Sequence, residues 1–221
     1  MRAAKKDREA RSPERGRAAG ERTPELRAEV QEFKRRRILE EARELFFAHG
    51  YEATTLDAIA EALNVTKPFL YSYFRNKSEI LNAICEIGIT KSIDALDEAL
   101  ALDLPPQEKL RLIVERVTTI IILNQKYIVV YQREEKNLES REAKHLIGLR
   151  RDFDARLARL LAQGAESGDF DIEDAAMTAV SISGLITWVA SWFRPARHIQ
   201  TDVVMHTIRL VDRMVAKRPR K

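Results

Sequence analysis

An all-α fold is the class this sequence predicts: a three-helix helix-turn-helix unit at the N-terminus, then a longer helical domain. Three observations carry this reading. Apolar residues recur at spacings of three and four along most of the chain after residue 29. Only seven prolines and eight glycines occur in 221 residues, so long helices are permitted. No segment alternates apolar and polar residues as a strand does, and no internal repeat is found.

Composition sets the frame. Hydrophobic residues make up 45% of the chain, enough for a core, and charged residues 33%. Thirty-eight Lys and Arg against 34 Asp and Glu give a net charge of +4, a mild excess that suits an anionic partner. The single cysteine, Cys85, excludes an intramolecular disulfide and reads as a small buried hydrophobe beside Ile84 and Ile87. No apolar run approaches the roughly 20 residues that span a membrane, and the N-terminus lacks a signal-peptide core. A cytoplasmic protein with no membrane partner is expected.

The elements follow in order. Residues 1–28 hold nine basic residues against five acids, and their apolar residues are mostly alanine. Such a segment buries too little surface to offset its ordering entropy, so a disordered basic tail is expected. It serves either as an arm on DNA or as a solvated extension. From Glu29 a helix is predicted, with Val30, Phe33, Ile38, Ala42, Leu45 and Phe46 at helical spacing, ended by His49-Gly50. A short second helix follows, with Leu56, Ile59, Ala60 and Leu63 inward and either Thr54 or Thr55 as its N-cap. Asn64 tolerates a left-handed turn. Thr66 then caps a third helix with Lys67 and Pro68 in its first turn. Two short helices around a tight turn, the second one basic, are the parts of a helix-turn-helix, here residues 29–76.

The stretch Thr66-Lys67-Pro68-Phe69-Leu70-Tyr71-Ser72-Tyr73-Phe74 divides by face. Val65, Leu70 and Phe74 are predicted inward, while Thr66, Lys67, Pro68, Phe69 and Tyr71 form the outward N-terminal end that enters a major groove. Lys67 can donate to guanine O6 and N7, Phe69 and Tyr71 can press on thymine methyls, and the Tyr73 hydroxyl can reach a phosphate. Asn76 caps the next helix with Glu79 three residues on, and Lys77 adds charge at that helix N-terminus, a phosphate site. Together with Thr55 at the start of the stretch, these residues form the expected contact set for a double-stranded DNA operator.

The run TTLDAIAEALNVTKPFLYSYFRNKSEIL resembles the DNA-binding signature of TetR-family transcriptional regulators. Thr55, Ile59, Ala60, Val65, Thr66, Leu70, Tyr71, Tyr73, Phe74 and Lys77 stand in register with it, and the match with its preceding helix covers about a quarter of the chain. Asn64 replaces a frequent glycine, and Phe69 a smaller residue. The resemblance implies a homodimer that binds a palindromic operator, usually represses, and lets go when a small molecule enters the C-terminal domain.

The remaining segment, 77–217, is read as a helical effector-binding and dimerisation domain. A long helix from Lys77 reaches Asp103-Leu104-Pro105-Pro106, and a second long amphipathic helix stops near Gly164 and Gly168. The stretch from Ala175 to Phe193 is nearly uncharged, Thr201 is expected to cap the last helix with its own apolar stripe, and these last two long helices are expected to form a four-helix dimer interface. This half resembles, more loosely, TetR members that sense acyl-CoA thioesters in lipid or steroid catabolism, through YQREEKNL, LRRDFDARLARLLAQGAESGDF and GLITWVASWFRP. The expected ligand set is Tyr127, Tyr131, Arg133, Trp188, Trp192 and Arg194. Trp188 and Trp192, one turn apart, either wall an apolar pocket or fill a dimer interface. Arginines including Arg133, Arg150, Arg151 and Arg194 are available for CoA phosphates. A neutral lipophilic effector, or a ligand-independent architectural DNA binder, are the alternatives.

No catalytic motif is found. His49, His145, His198 and His206 lack metal-ligand spacing, and no phosphate loop, nucleophile elbow or HExxH occurs. The adjacent Glu134 and Glu135 read as a solvated face. No enzyme activity, metal or cofactor is expected.

Overall fold

The computed structural model describes residues 17–217. Among them run nine α-helices and no strand. Residues 1–16 of the expected tail lie outside the described residues. The rest of that tail, 17–28, is helical, because α1 runs Arg17–His49 and starts well ahead of Glu29. Every residue from Pro24 to Phe33 is exposed, so Val30 and Phe33 do not reach the core. The buried stripe begins at Ile38 and continues through Leu39, Ala42 and Phe46.

Gly50 ends α1 at φ +82, its N–H donating to the Phe46 carbonyl at 2.9 Å. α2 spans Leu56–Ala62 and α3 Lys67–Tyr71, joined through Asn64 at φ +53. α4, Lys77–Leu100, is capped by the Asn76 side chain, which accepts the Glu79 N–H at 2.8 Å, while the Glu79 carboxylate accepts the Arg75 N–H at 2.6 Å. The rest of the chain forms α5 (Pro106–Leu123), α6 (Gln125–Glu134), a 3-10 turn (Glu135–Asn137), α7 (Ser140–Glu166), α8 (Ala175–Trp192) and α9 (Gln200–Val215). Ile199, not Thr201, occupies the cap position of α9.

Two apolar cores share α4. The lower one joins Ile38, Phe46, Ile59, Leu70, Phe74, Ile80, Leu81 and Ile84 to Tyr127 and Val130 of α6 and Leu146 of α7. The upper one joins Leu96 and Ala99 of α4 to α5, α7, α8 and α9. The helix-turn-helix therefore rests directly on α6, with no linker between them. Arg156 of α7 donates to both carboxylate oxygens of Asp97 on α4 at 2.5 Å, which ties the two helices together above the seam between the cores.

α8 is 18 residues long with a mean hydropathy of 1.4, more membrane-like in length and composition than the sequence reading allowed. Its inner side, Ala179, Ile182, Ile186, Val189 and Ala190, is buried in the upper core. Its outer side exposes Met177, Trp188 and Trp192, whereas Val180, also exposed, lines a cavity.

Candidate DNA interface and effector cavity

Leu70 and Phe74 are buried and fix α3 from below. Tyr71 stands half exposed on the outer face, and Thr66 and Pro68 are exposed at the α3 N-terminus. Thr66 occupies the cap position without a side-chain hydrogen bond. Thr55 is the N-cap of α2 and accepts the Ala58 N–H at 3.1 Å, whereas Thr54 is buried and donates to the Gly50 carbonyl at 2.8 Å. Phe69 leans on Tyr73, ring centroids 5.1 Å apart, with the Lys34 ammonium 5.9 Å from the Phe69 ring. Lys67 donates to Asp57 Oδ2 of α2 at 2.9 Å. That hydrogen bond, together with the nearby carboxylate charge, raises the Lys67 pKa.

Lys77 departs from its expected role. Its ammonium donates to the backbone carbonyls of Tyr51 at 2.8 Å, Thr54 at 2.9 Å and Glu52 at 3.4 Å, and lies 4.2 Å from the centroid of the Tyr51 ring. An ammonium has three donors, and all three point into the α1–α2 loop. Lys77 is thus a strut that sets α4 against that loop, not a free charge turned to a phosphate. No local pattern signals this role, because the carbonyls lie more than twenty positions away.

Higher up, between α4, α5, α6, α7 and α8, lies a cavity of about 300 Å³ at the seam of the two cores. Ile89, Val117, Ile121, Ile128, Phe153 and Ile186 give it an apolar interior, and Cys85 and Gly88 line it from α4. A Cβ on Gly88 would overlap Cδ1 of Ile128, so the glycine lets α6 approach α4 closely. Polar groups gather on the α6–α7–α8 side: Tyr131, Gln132, Glu135, Arg150, Asp154 and Ser183. The Tyr131 hydroxyl donates to Glu135 at 2.9 Å and accepts from Arg150 at 3.1 Å. Ser183 donates to Asp154 at 2.6 Å. Burial raises the Tyr131 pKa and pushes the Cys85 thiol up to about 12.

Of the six residues expected to meet a ligand, Tyr131 lines this cavity and five do not. Trp188 is 64% exposed and Trp192 38% exposed, both on the outer side of α8. Tyr127 is buried in the lower core, beneath the Arg43 guanidinium at 4.5 Å. Arg133 donates to the Phe47 carbonyl at 3.3 Å and stacks on the Phe47 ring, and Arg194 donates to the carbonyls of Ser191 and Phe193 at the end of α8. α8 is apolar on all sides, so helical periodicity could not tell its inner from its outer face. Arg150, one of the arginines available for phosphate, does line the cavity, whereas Ser183, Asp154 and Gln132 carried no signal of their own.

Comparison with known proteins fits this arrangement. A profile of the family described as "Tetracyclin repressor-like, C-terminal domain" matches residues 103–215, and one of "Bacterial regulatory proteins, tetR family" matches 38–84. The chain belongs to the TetR family. As a TetR-family member it is a DNA-binding transcriptional regulator, and its relatives are regulators, not enzymes. The TetR-family regulator PfmR from Thermus thermophilus superposes with a TM-score of 0.74 at 31% identity, over 80% of this chain and 97% of that one. The transcriptional repressor KstR2 of Rhodococcus jostii (strain RHA1) is 26% identical over 77% of this chain and 85% of its own length. The fatty acid metabolism regulator protein of Bacillus subtilis (strain 168) is 26% identical over 60% of this chain and 68% of its own. Some curated relatives are matched over a shorter stretch: the chain spans 37% of the length of one from Bacillus subtilis that is 38% identical over 71 residues.

In this TetR-family chain α6 borders both the cavity and α1. Its inner residues Ile128 and Tyr131 wall the cavity. Its other side clasps α1, where Lys126 pairs with Glu44, Arg133 reaches Phe47, and Glu134 accepts the Tyr51 N–H at 3.2 Å. Burial works against the Glu44 charge, but Lys126 and Arg43 outweigh it and hold the carboxyl below its usual range. Glu134 is 9% exposed and also accepts from Asn137 at 2.7 Å, so it is a buried connector and not the solvated face the sequence suggested. The reason is local: α6 stops at Glu134, and the 3-10 turn directs its side chain inward.

Proposed function

We propose that this TetR-family regulator is a homodimeric repressor of a palindromic operator, released when a lipophilic small molecule of the acyl-CoA kind occupies the cavity. The observation that carries the proposal is the cavity of about 300 Å³ walled by the same helix, α6, that grips the DNA-binding domain. A ligand changes DNA affinity only through a difference in its affinity for two conformations. An occupant pressing on Ile128 and Tyr131 acts on α6, and through α6 on α1 and the α1–α2 loop. Two α3 helices in a dimer must match one helical turn, about 34–36 Å, so a small tilt is enough to lower affinity.

The chemistry of the lining supports the effector class. The volume is at the small end of the range for ligand sites, roughly 300–1,000 Å³, which suits an acyl chain or a fused-ring acyl group with the CoA moiety outside. Arg150, beside Tyr131, is the arginine placed to meet phosphate at the polar side. The likeness to KstR2, a named repressor, and to a fatty acid metabolism regulator points the same way. A neutral lipophilic effector is the second reading, favoured by the apolar interior and by the carboxylates of Glu135 and Asp154 in the lining. The cavity disfavours a ligand-independent architectural protein. The outward Met177 and Trp188 of α8, with Met205 and Met214 exposed on α9, are the surface for the second protomer.

The test is footprinting of the purified protein on the DNA upstream of its own gene, with and without a panel of CoA thioesters, free CoA and neutral lipophiles. Release by long-chain or polycyclic acyl-CoA, and not by free CoA, is expected. Release by neutral compounds alone supports the second reading, and no release by any member of the panel contradicts the effector assignment.

A further inference from the structure

The DNA-binding role of the helix-turn-helix leaves one acidic residue unexplained on its outer face. Asp57 lies in the first turn of α2, 71% exposed at the side chain, and its Oδ2 accepts from Lys67 Nζ at 2.9 Å. Lys67 is the first residue of α3, the end of a recognition helix that meets base edges. A carboxylate beside DNA repels phosphates and lowers the affinity for any sequence. Packing returns little, since Asp57 is exposed and Lys67 about half exposed, and an acid in the first turn of α2 adds only the small gain of a negative charge at a helix N-terminus.

We propose that Asp57 and Lys67 act as one unit that reads a single G·C pair, with Asp57 as a specificity-determining residue. In the major groove, guanine presents the N7 and O6 acceptors and cytosine the N4 donor. O6 and N4 face each other across a base-pair hydrogen bond, about 3 Å apart. The ion pair offers the complement at the same spacing: an ammonium donor for O6 and a carboxylate acceptor for N4–H2, 2.9 Å apart. A second Lys67 donor takes N7, which separates guanine from thymine, whose methyl group stands there instead. The pair also holds the ammonium between α2 and α3. Asp57 thus withdraws one charge from sequence-independent binding and adds one acceptor to sequence-dependent binding. Tyr71, one turn after Lys67 on the same outer face, is free to meet the neighbouring base pair.

The experiment is selection of binding sites from a random duplex pool by the full chain, with affinity for random DNA measured across a salt series. Wild type, Asp57→Ala, Asp57→Asn, Lys67→Ala and Glu61→Ala are compared. Glu61 is an exposed acid elsewhere on α2 and controls for the loss of negative charge. Wild type is expected to fix a G·C position that Asp57→Ala, Asp57→Asn and Lys67→Ala all lose, the other positions being kept. Asp57→Ala is expected to bind random DNA about three- to tenfold more tightly near 0.1 M salt, with a log–log salt slope steeper by about one, as Lys67 turns to a phosphate. Glu61→Ala is expected to keep the G·C position. The proposal is overturned if the Asp57 variants keep that position, if Asp57 and Lys67 variants lose different positions, or if Glu61→Ala loses it as well.

Discussion

Glu134, the last residue of α6, accepts the backbone N–H of Tyr51, the second residue beyond α1, at 3.2 Å. The two are 83 positions apart, and their contact joins the wall of the cavity to the loop that leads into the helix-turn-helix. Glu134→Ala leaves a half-buried amide without this acceptor and is expected to cost about 1–3 kcal/mol of stability. It is also expected to weaken the effect of any cavity ligand on operator binding, because α6 loses part of its hold on α1. Glu134→Gln keeps an acceptor oxygen and should retain most of both properties. Chemical denaturation and operator titration on the two variants check this, and equal loss in both would show that charge, not the hydrogen bond, matters.

Lys77 gives a second test. Its three carbonyl partners fix the α1–α2 loop, so Lys77→Ala is expected to destabilise the protein by about 1–3 kcal/mol and to weaken operator and random DNA alike. A phosphate-contact role would instead flatten the salt dependence by about one unit with unchanged stability. Thermal unfolding and a salt series on one variant separate the two.

Gly88 tests the cavity. Alanine at this helix-interior position gains about 0.5–1 kcal/mol of helix preference, but its methyl group drives the end of Ile128 into the cavity. Gly88→Ala is therefore expected to change the melting temperature by only a few degrees and to reduce effector response strongly, with operator affinity in the absence of effector near wild type. Isothermal titration with an acyl-CoA that binds the wild type checks it.

Cys85 reports on the same space. With the thiol pKa raised to about 12, alkylation at pH 8 is expected to be slow in the folded protein and fast in denaturant. The sign for stability follows: the folded pKa is the higher one, so this contribution is complete below about 9 and is lost as pH rises toward 12. A cavity ligand should slow native labelling further. Rapid labelling of native protein would mean that α4 opens there.

The outer side of α8 tests the dimer. Trp188→Asp places a charge where the chain is apolar and open, and is expected to shift sedimentation toward monomer and to lower operator affinity. Ala179 faces the chain's own core, so a charge there would act on folding instead.

The helices were largely legible because their apolar residues follow one face: Ile59, Leu70 and Phe74 are buried where spacing put them, and Gly50 and Asn64 take the positive φ that their chemistry permits. Two kinds of feature were not. The helical spacing of Val30 and Phe33 gave the helix from Glu29, but Leu26, Val30 and Phe33 are exposed, so neither their exposure nor the start of α1 at Arg17 could be read from the pattern. The cavity is lined by side chains from five helices, with Cys85 and Gly184 almost a hundred positions apart, and only packing brings them together. Trp188 and Trp192 drew attention by size, while Ser183 and Gly184 on the same helix are the ones at the cavity.

The most direct test of the central claim is a linkage measurement. The dissociation constant of a long-chain or polycyclic acyl-CoA is measured for the free protein and for the operator-bound protein, and that of the operator with and without the acyl-CoA. The two ratios must agree, since coupling between sites is reciprocal, and a factor of about 5–150 is the usual range. The expected result is weaker acyl-CoA binding to the operator complex by the same factor by which acyl-CoA weakens the operator. Acyl-CoA that binds with equal affinity to free and operator-bound protein would contradict the account, whatever the cavity holds.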